Sequence, residues 1–462
     1  MFDTIAAISS GNKVNQPISI IRISGPNTLE IMNRIFKGKV GKDHEITYGH
    51  IIDENKSIID EVLVMWFVGK MNNDNTMVFN NYVGDILVEI NCHGGILVTN
   101  LILELILSNG ARLALPGEFT RRAFLNGKMD LVKAEAIHDL IMAKTKKQAS
   151  AAIKKFDGKT SNLINALIKE IEYLIGLCEV NIDYPEYDDI EKINDEIMKE
   201  KLTILIKKIN EIVKLSQSSR LIFEGVKVAI LGKPNVGKSS LLNALLNEEK
   251  AIVTDIAGTT RDIIEENIQL DGILFKLIDT AGLRQTEEKI ESIGIKKSLE
   301  QIERADLLIH VLDPKQKNDR FDFLIKEKAN ELNKIYIPVA NKKDICSDEE
   351  IKRSLFDLKI DKISFISALN GDIDELKTEM IRLFKDIDIE NDIIVTNTRQ
   401  LSLVQIAFKS LVDALNSLNN DMTFDVIIID ITKAWESLKE ITGVADKEDL
   451  LDAMFSNFCL GK

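Results

Sequence analysis

The chain has 462 residues, with 59 Lys and Arg against 73 Asp and Glu, a formal net charge of −14, and 45% hydrophobic residues. That length suggests about three domains at roughly 150 residues each, and the apolar content supports packed cores and excludes a wholly disordered chain. The negative charge argues against broad, non-specific nucleic-acid binding, though it leaves room for a local basic surface. The four cysteines, Cys92, Cys178, Cys346 and Cys459, are scattered and form no CxxC pair, which argues for reduced thiols and against a disulfide framework or a zinc site. MFDTIAAISS lacks the basic and apolar regions of a signal peptide. The longest apolar stretch, Ile96 to Leu107, is interrupted by Thr99, Asn100 and Glu104 and is too short to cross a bilayer. A cytoplasmic protein is expected.

Residues 1 to about 118 alternate β-rich runs (PISIIRIS, EITYGHII, DEVLVMWFVG, DILVEIN) with turn residues, followed by a helix from about Ile96 to Ser108. From about Phe119 the pattern changes. EFTRRAFLNGKMDLVKAEAIHDLIMAKT and TSNLINALIKEIEYLIGLCEV space apolar residues by three and four, which predicts long helices. An acidic break, DYPEYDDIEKIND, precedes another helix expected to end near Ser216. Between Gly225 and about Phe384 strands alternate with helices, the signature of a parallel α/β sheet. After Asn391 helices return. The expected fold is α+β and multidomain: an N-terminal α/β domain (1–118), a helical domain in two parts (119–222 and 385–462), and an α/β P-loop domain (223–384) inserted between them. In the last helix Leu450, Met454 and Phe458 share a stripe and Leu451 lies beside Phe455, a pattern built to dock.

The strongest chemical signal lies in the insert. VKVAILGKPNVGKSSLLNALL reads as a strand, then G-x-x-x-x-G-K-S from Gly232 to Ser239, then a helix. In that context the loop N–H groups cradle phosphates at a helix N-terminus, Lys238 meets the β/γ-phosphates and Ser239 binds Mg²⁺. The candidate contacts are Asn235, Val236, Gly237, Lys238, Ser239 and Ser240. Downstream, Thr254, Asp255, Ile256, Ala257, Gly258, Thr259 and Thr260 form TDIAGTT, whose Thr259 and Thr260 hydroxyls can sense the γ-phosphate and its Mg²⁺. The DTAG run, Asp279, Thr280, Ala281 and Gly282, offers a carboxylate to the Mg²⁺ shell and a Gly282 N–H to the γ-phosphate. In NKKD (Asn341, Lys342, Lys343, Asp344) the Asp344 carboxylate can accept both guanine N1–H and the exocyclic amine, a pairing adenine cannot match. SAL (Ser367, Ala368, Leu369) supplies the Ala368 N–H for guanine O6. The ordered set specifies GTP. Residue 283 is Leu where many GTPases carry the Gln that orients water. Glu287, Glu288 and Glu291 follow, and spacing alone does not choose among them or exclude a solvated helix face.

GKPNVGKS, TDIAGTTRD, DTAGLR, GEFTRRAFLNGKMDLVKAEA and the terminal FCLGK together resemble the tRNA-modification GTPase MnmE (TrmE) family, over nearly the whole chain. The G-domain motifs are shared with many GTPases, whereas the terminal motif and R-A-F-L-N-G-K-x-D-L are highly specific. The resemblance implies a homodimer acting with an FAD-binding MnmG-type partner in a heterotetramer. The substrate would be a tRNA whose wobble uridine receives an aminomethyl or carboxymethylaminomethyl group at carbon 5. The one-carbon unit would come from a 5-formyl- or methylene-tetrahydrofolate bound by the N-terminal domain. Arg22, Glu89 and Lys128 stand where the family places its folate-binding side chains, and the tail would bring Cys459 and Lys462 to the same pocket. Cys459 is either catalytic or a small buried hydrophobe. The resemblance also implies K⁺ held by the Asn235 side chain with Thr254, Ile256 and the Thr259 region, and Glu291 as the catalytic glutamate in place of the missing Gln.

Two stretches depart from the family pattern near the expected folate pocket: SSGNKVNQPIS for its Gly-rich segment and VGDI for TGED. A ribosome-assembly switch GTPase shares the nucleotide motifs, but a tandem G domain and a basic RNA-binding tail are missing here. A dynamin- or septin-like scaffold would need membrane or polymer-forming segments, and none is found.

Overall fold

The computed structural model describes residues 3–10, 14–183, 195–248, 266–278, 291–346, 358, 362–385, 395, 397–443, 451, 454–456, 458 and 461. It divides into two compact units. One comprises Met1–His138, Phe156–Ser161 and Lys439–Lys462; the other comprises Asp139–Lys155 and Asn162–Leu438.

In the first unit the β-rich runs become β1 (Ile5–Ile8), β2 (Ile18–Ser24), β3 (Phe36–Gly38), β4 (Glu45–Ile52) and β5 (Ile58–Phe67). A small hairpin of β6 (Lys70–Met71) and β7 (Met77–Val78) follows, then β8 (Leu87–His93) and β9 (Arg112–Leu113). Seven strands form one sheet in the order β3-β4-β5-β8-β2-β1-β9. Only β1 and β9 run parallel; the other neighbours are antiparallel. Because strand side chains alternate faces, Ile21 and Ile23, Val62, Val64 and Trp66, and Val88 and Ile90 all point one way. There the helices Thr28–Ile35 and Ile96–Ser108 cover them with Ile31, Met32, Ile35, Ile102 and Ile106. The other face carries Arg22 opposite Glu89, and near its β1 edge a smaller core of Ile5, Ala7, Val83, Leu87, Ala114 and Phe119.

The helical run expected after Phe119 is divided. Helices Glu118–Leu125 and Leu131–Met142 are separated where Gly127 takes φ +67°, a left-handed backbone that stops a helix. Asp130 then starts the next one, its Oδ1 accepting the Lys133 N–H at 2.8 Å. The C-terminal segment docks on this region. Leu451, Phe455 and Phe458 are buried with Leu131 and Ala134, and the Phe455 and Phe458 rings lie 5.1 Å apart. Gly117, at φ +67°, lets the chain come close: a Cβ there would stand 2.7 Å from the Phe455 carbonyl oxygen. Leu450, part of the expected stripe, lies outside the described residues.

The second unit joins long helices to an α/β sheet. Helices Lys159–Asp183 and Phe424–Thr442 contribute Glu172 and Trp435, whose indole N–H donates to Glu172 at 3.0 Å. Helix Asp195–Glu224 packs on Thr398–Asn419. It runs past Ser216, where the sequence pattern suggested an end, and stops at Gly225 with φ +89°. Ser216 is buried, and its hydroxyl accepts the Val395 N–H at 2.9 Å. The sheet has the order β11-β12-β10-β13-β14-β15, built from β10 (Val226–Leu231), β11 (Glu266–Leu270), β12 (Ile273–Leu277), β13 (Leu307–Leu312), β14 (Ile335–Ala340) and β15 (Ser364–Phe365). All neighbours are parallel except β11 and β12. Both faces are buried, as a parallel sheet requires. Val228 and Ile230 lie in a core with Leu241, Leu245, Leu376 and Met380, while Ala229 and Leu231 lie in another with Ile302, Ala305, Ile325 and Ala329.

Phe455→Ala should destabilise the first unit by about 3 kcal/mol, the usual cost of emptying a buried aromatic site. Urea unfolding of the full chain, followed at that unit's transition, measures it. A loss below about 1 kcal/mol would show that the C-terminal segment is not held by this core.

Candidate functional site

Three loops meet at the carboxyl ends of parallel strands of one sheet, where open α/β sheets bind ligands. After β10, residues 232–239 turn into the helix Lys238–Glu248. Asn235 takes φ +61° and Gly237 φ +102°, so successive N–H groups point inward in a manner suited to an anion. After β14 comes Asn341–Asp344, and after β15 comes Ser367–Leu369. The buried Asn341 side chain joins all three. Its Nδ2 donates to the Val236 carbonyl at 2.8 Å, and its Oδ1 accepts the Ala368 N–H at 3.0 Å. Gly237 is forced by this contact, since a Cβ there would stand 2.1 Å from Asn341 Nδ2. Ser367 Oγ donates to Asp344 Oδ1 at 2.6 Å, fixing one carboxylate oxygen of the residue expected to read guanine. Lys342, at φ +65°, reaches Asp313 with an Nζ–Oδ2 distance of 2.7 Å. Lys238 Nζ donates to the carbonyls of Gly232 and Lys233 at 2.8 and 2.6 Å. Burial pulls its amine down to about 8.

A second polar cluster sits on the first unit's sheet. Arg22 Nε and Glu89 Oε1 pair across β2 and β8 at 2.6 Å, both largely buried. The Arg22 guanidinium lies 5.3 Å from the Tyr82 ring centroid. Its Nη1 donates to the Gly461 carbonyl at 3.0 Å, and Ser9 Oγ donates to the same oxygen at 2.9 Å. Gly461 has φ +83°, and a Cβ would stand 2.4 Å from the Ile8 carbonyl oxygen; only glycine fits. Beside this arrangement, Tyr82 Oη and Asn91 Nδ2 are buried with no hydrogen-bond partner among the described residues. Burial pushes the Tyr82 phenol up to about 12, so it stays a donor at neutral pH. Buried polar atoms in native folds nearly always have partners, and such a pair beside a salt bridge marks a place for a polar ligand. Lys128 donates to the Phe79 carbonyl at 2.6 Å, holding the segment that carries Tyr82.

The structure therefore brings together Arg22, Glu89 and the chain end, and separately Val236, Gly237, Lys238, Asn341, Asp344, Ser367 and Ala368. Ser239 and Ser240 open the helix after the phosphate loop. Leu369 is almost fully exposed. Glu291 is the first residue of the helix Glu291–Arg304, but its side chain lies outside the described residues. Thr254 to Thr260, Asp279 to Gly282, Glu287, Glu288, Cys459 and Lys462 also lie outside them. Sequence reasoning missed Ser9, Tyr82 and Asn91. Tyr82 immediately precedes the VGDI stretch, and Ser9 opens the divergent SSGNKVNQPIS stretch, so the departures from pattern were the available signal. His93, at the end of β8, pairs with Asp60 at 2.6 Å, and that carboxylate raises the affinity of its ring for a proton. Among the described residues no helix is long and apolar enough to cross a membrane, and no group of three or more His, Cys, Asp or Glu is placed to hold a metal.

A mainly parallel sheet whose phosphate loop is locked to an NKKD loop and an SAL loop defines a P-loop GTPase. Comparison with known families gives the remainder. The N-terminal family model "GTP-binding protein TrmE N-terminus" matches residues 4–128, and the "MnmE helical domain" model matches residues 131–459. The chain is 55% identical over 462 residues to the tRNA modification GTPase MnmE of Mycoplasmopsis pulmonis and 51% identical over 462 residues to that of Mycoplasma mobile, each pair covering 100% of both chains. It is 44% identical over 470 residues to that of Lactiplantibacillus plantarum, covering 100% of this chain and 99% of the relative. The chain belongs to the MnmE family of tRNA modification GTPases, and by enzyme class it is a GTP hydrolase.

Phosphate needs Lys238 as the ammonium, whereas burial lets the amine lose its proton near pH 8. Above that pH nucleotide binding must take up a proton, so GDP affinity should fall as pH rises, by up to about tenfold per unit at the steepest. Fluorescent-GDP titrations between pH 7 and 9.5 measure this. A flat profile would mean that the amine is not titrating there.

Proposed function

We propose that this chain is a K⁺-dependent GTPase which, as a homodimer with an FAD-binding MnmG-type partner, modifies carbon 5 of the tRNA wobble uridine in the cytosol. The product is an aminomethyl or carboxymethylaminomethyl group. Full-length likeness to tRNA modification GTPases supports the tRNA substrate. One structural observation carries the folate part: Arg22 and Ser9 hold the Gly461 carbonyl beside the Arg22–Glu89 pair, with the Tyr82 hydroxyl and the Asn91 Nδ2 unpartnered among the described residues.

These groups suit a tetrahydrofolate. A carboxylate such as Glu89 matches the donor edge of a pteridine, and cationic Arg22 and Lys128 match the ligand's carboxylates. A 5-formyl- or methylene-tetrahydrofolate would supply the one-carbon unit. The chain's own residues would bind and orient it, and the tail, held at Gly461, would bring Cys459 and Lys462 to the same pocket. On the sheet face opposite the helices Ile18, Ile46, Tyr48 and Leu63 are exposed, an apolar surface that fits the homodimer of this reading.

For hydrolysis, Mg²⁺ would be held by Ser239 and Thr260, and K⁺ by Asn235 with Thr254, Ile256 and Thr259. A monovalent cation beside the phosphates neutralises charge that grows in the transition state. The left-handed turn at Asn235 supports this, because it puts that side chain in the phosphate loop's own bend. Glu291 would orient the attacking water in place of Gln.

Hydrolysis should be faster in KCl than in NaCl at equal ionic strength. Asn235→Ala should lose that difference while still binding nucleotide, and Glu291→Ala should bind GTP yet turn over about 10² more slowly. Equal rates in the two salts would remove the potassium assignment, and normal turnover by Glu291→Ala would remove that residue's role.

Gly461→Ala should lose binding of 5-formyl-tetrahydrofolate and wobble-uridine modification, since its Cβ cannot sit against Ile8. GTP hydrolysis should be unchanged. Calorimetry with the folate and nucleoside analysis of cellular tRNA give the two readouts. Wild-type folate affinity in this variant would disprove the pocket assigned to the tail.

A further inference from the structure

We infer that Lys233 is a positioning residue for phosphate binding: it braces the phosphate loop against the segment 313–322, which also holds the guanine-reading loop. Lys233 is nearly buried between Gly232 and Pro234. Its ammonium donates to the Lys317 carbonyl at 2.5 Å and pairs with Asp322 Oδ2 at 2.9 Å, with Asp319 Oδ2 at 3.8 Å. All three partners lie in the loop after β13 and the first turn of the helix Arg320–Glu331.

Asp322 is the centre of this brace. It is fully buried, and its carboxylate accepts from Lys233, from His310 Nε2 at 3.2 Å and from the Asp319 N–H at 3.1 Å. Burial alone would raise its pKa, but the hydrogen bonds from His310 and Lys233 outweigh that and lower it, so it stays a carboxylate. His310 is likewise fully buried, with Nδ1 2.7 Å from the Tyr336 hydroxyl on β14. With Nε2–H donating to Asp322, Nδ1 is left to accept from Tyr336. The β13 neighbours Leu308, Ile309 and Val311 show that this strand is otherwise built from aliphatic residues. A buried ionic chain is less stabilising than an aliphatic one of the same volume, and its attested benefit is to select one geometry.

That geometry concerns the nucleotide at both ends. Lys233 fixes the first turn of the phosphate loop, where Gly232 already presses on β13 closely enough that a Cβ would stand 2.3 Å from the Val311 carbonyl oxygen. At the start of the same segment Asp313 holds Lys342 at 2.7 Å in the guanine-reading loop. Segment 313–322 thus sets the spacing between the phosphate and base halves of the site. Loss of the Lys233 contact loosens the first turn of the phosphate loop, while Asn341 still holds Val236 and the base half stays fixed by Asp313, Asn341 and Ser367.

The test uses the full chain with Lys233→Met and Lys233→Arg, measuring displacement of a fluorescent guanine nucleotide by GDP and by guanosine. Lys233→Met should weaken GDP on the order of tenfold while guanosine stays within about twofold, and Lys233→Arg should restore GDP binding. A merely structural role would weaken both ligands together. Wild-type GDP affinity in Lys233→Met, or an equal loss for GDP and guanosine, would overturn the assignment. If Lys233→Met does not fold, Tyr336→Phe takes its place. That variant removes the hydroxyl from the far end of the chain, should weaken GDP more than guanosine, and overturns the assignment if it leaves GDP affinity unaltered.

Discussion

The Asn341 side-chain amide donates from Nδ2 to Val236 and accepts at Oδ1 from Ala368, so one rigid planar group holds the phosphate loop and both guanine-reading loops in a single relation. An amide can do this because its N–H donors and its carbonyl acceptor lie in one plane and point in different directions. Burial makes the requirement strict, since either half left unmade would strand a polar atom in a low dielectric. The consequences run outward. Gly237 must lack a Cβ, Val236 must present its carbonyl inward, and Ala368 must direct its N–H back toward Asn341. Asp344 then takes its orientation from Ser367. Each loop is irregular, yet each hangs from the end of a buried parallel strand, so the irregular part is short and its anchor is stiff.

The first unit solves a related problem with a different bond. Its sheet is apolar on one face and polar at the middle of the other, where Arg22 and Glu89 pair across adjacent strands. An exposed pair of this kind contributes little. Here Arg22 also holds the Gly461 carbonyl beside β1. The hydrophobic group of Leu451, Phe455 and Phe458 supplies the binding energy that brings the chain end to this place. Arg22 and Ser9 supply the direction. Apolar burial without the hydrogen bonds would leave the last residues free to point anywhere, and hydrogen bonds without the burial would not hold a chain end against its conformational entropy.

Much of the architecture was legible because it depends on local pattern. The strands at PISIIRIS, EITYGHII and DILVEIN, the helix Ile96–Ser108 and the strand–loop–helix of the phosphate site follow from alternation, period and glycine placement. Two boundaries did not. Gly127 and Asp130 divide a helical run whose apolar spacing continues across them, because capping and a left-handed turn outweigh spacing at those two residues. Ser216 resembled an end, but its hydroxyl meets a backbone N–H from a segment 179 residues further on, so the helix continues to Glu224.

By itself the sequence determined the nucleotide chemistry, since GxxxxGKS, NKKD and SAL are contiguous and each needs only its own few residues to state its purpose. It also determined that the chain end would dock, because a stripe of Leu and Phe has no other stable place to go. Tertiary structure alone decided what the docking achieves. Ser9, Arg22, Tyr82, Glu89, Asn91 and Gly461 lie as much as 452 residues apart, and no periodicity links them. The same is true of Lys233, Asp322, His310 and Tyr336. A polar residue in a strand or loop states only that it needs a partner. Which partner it finds depends on strand order and register, and these are fixed by the packing of whole sheets.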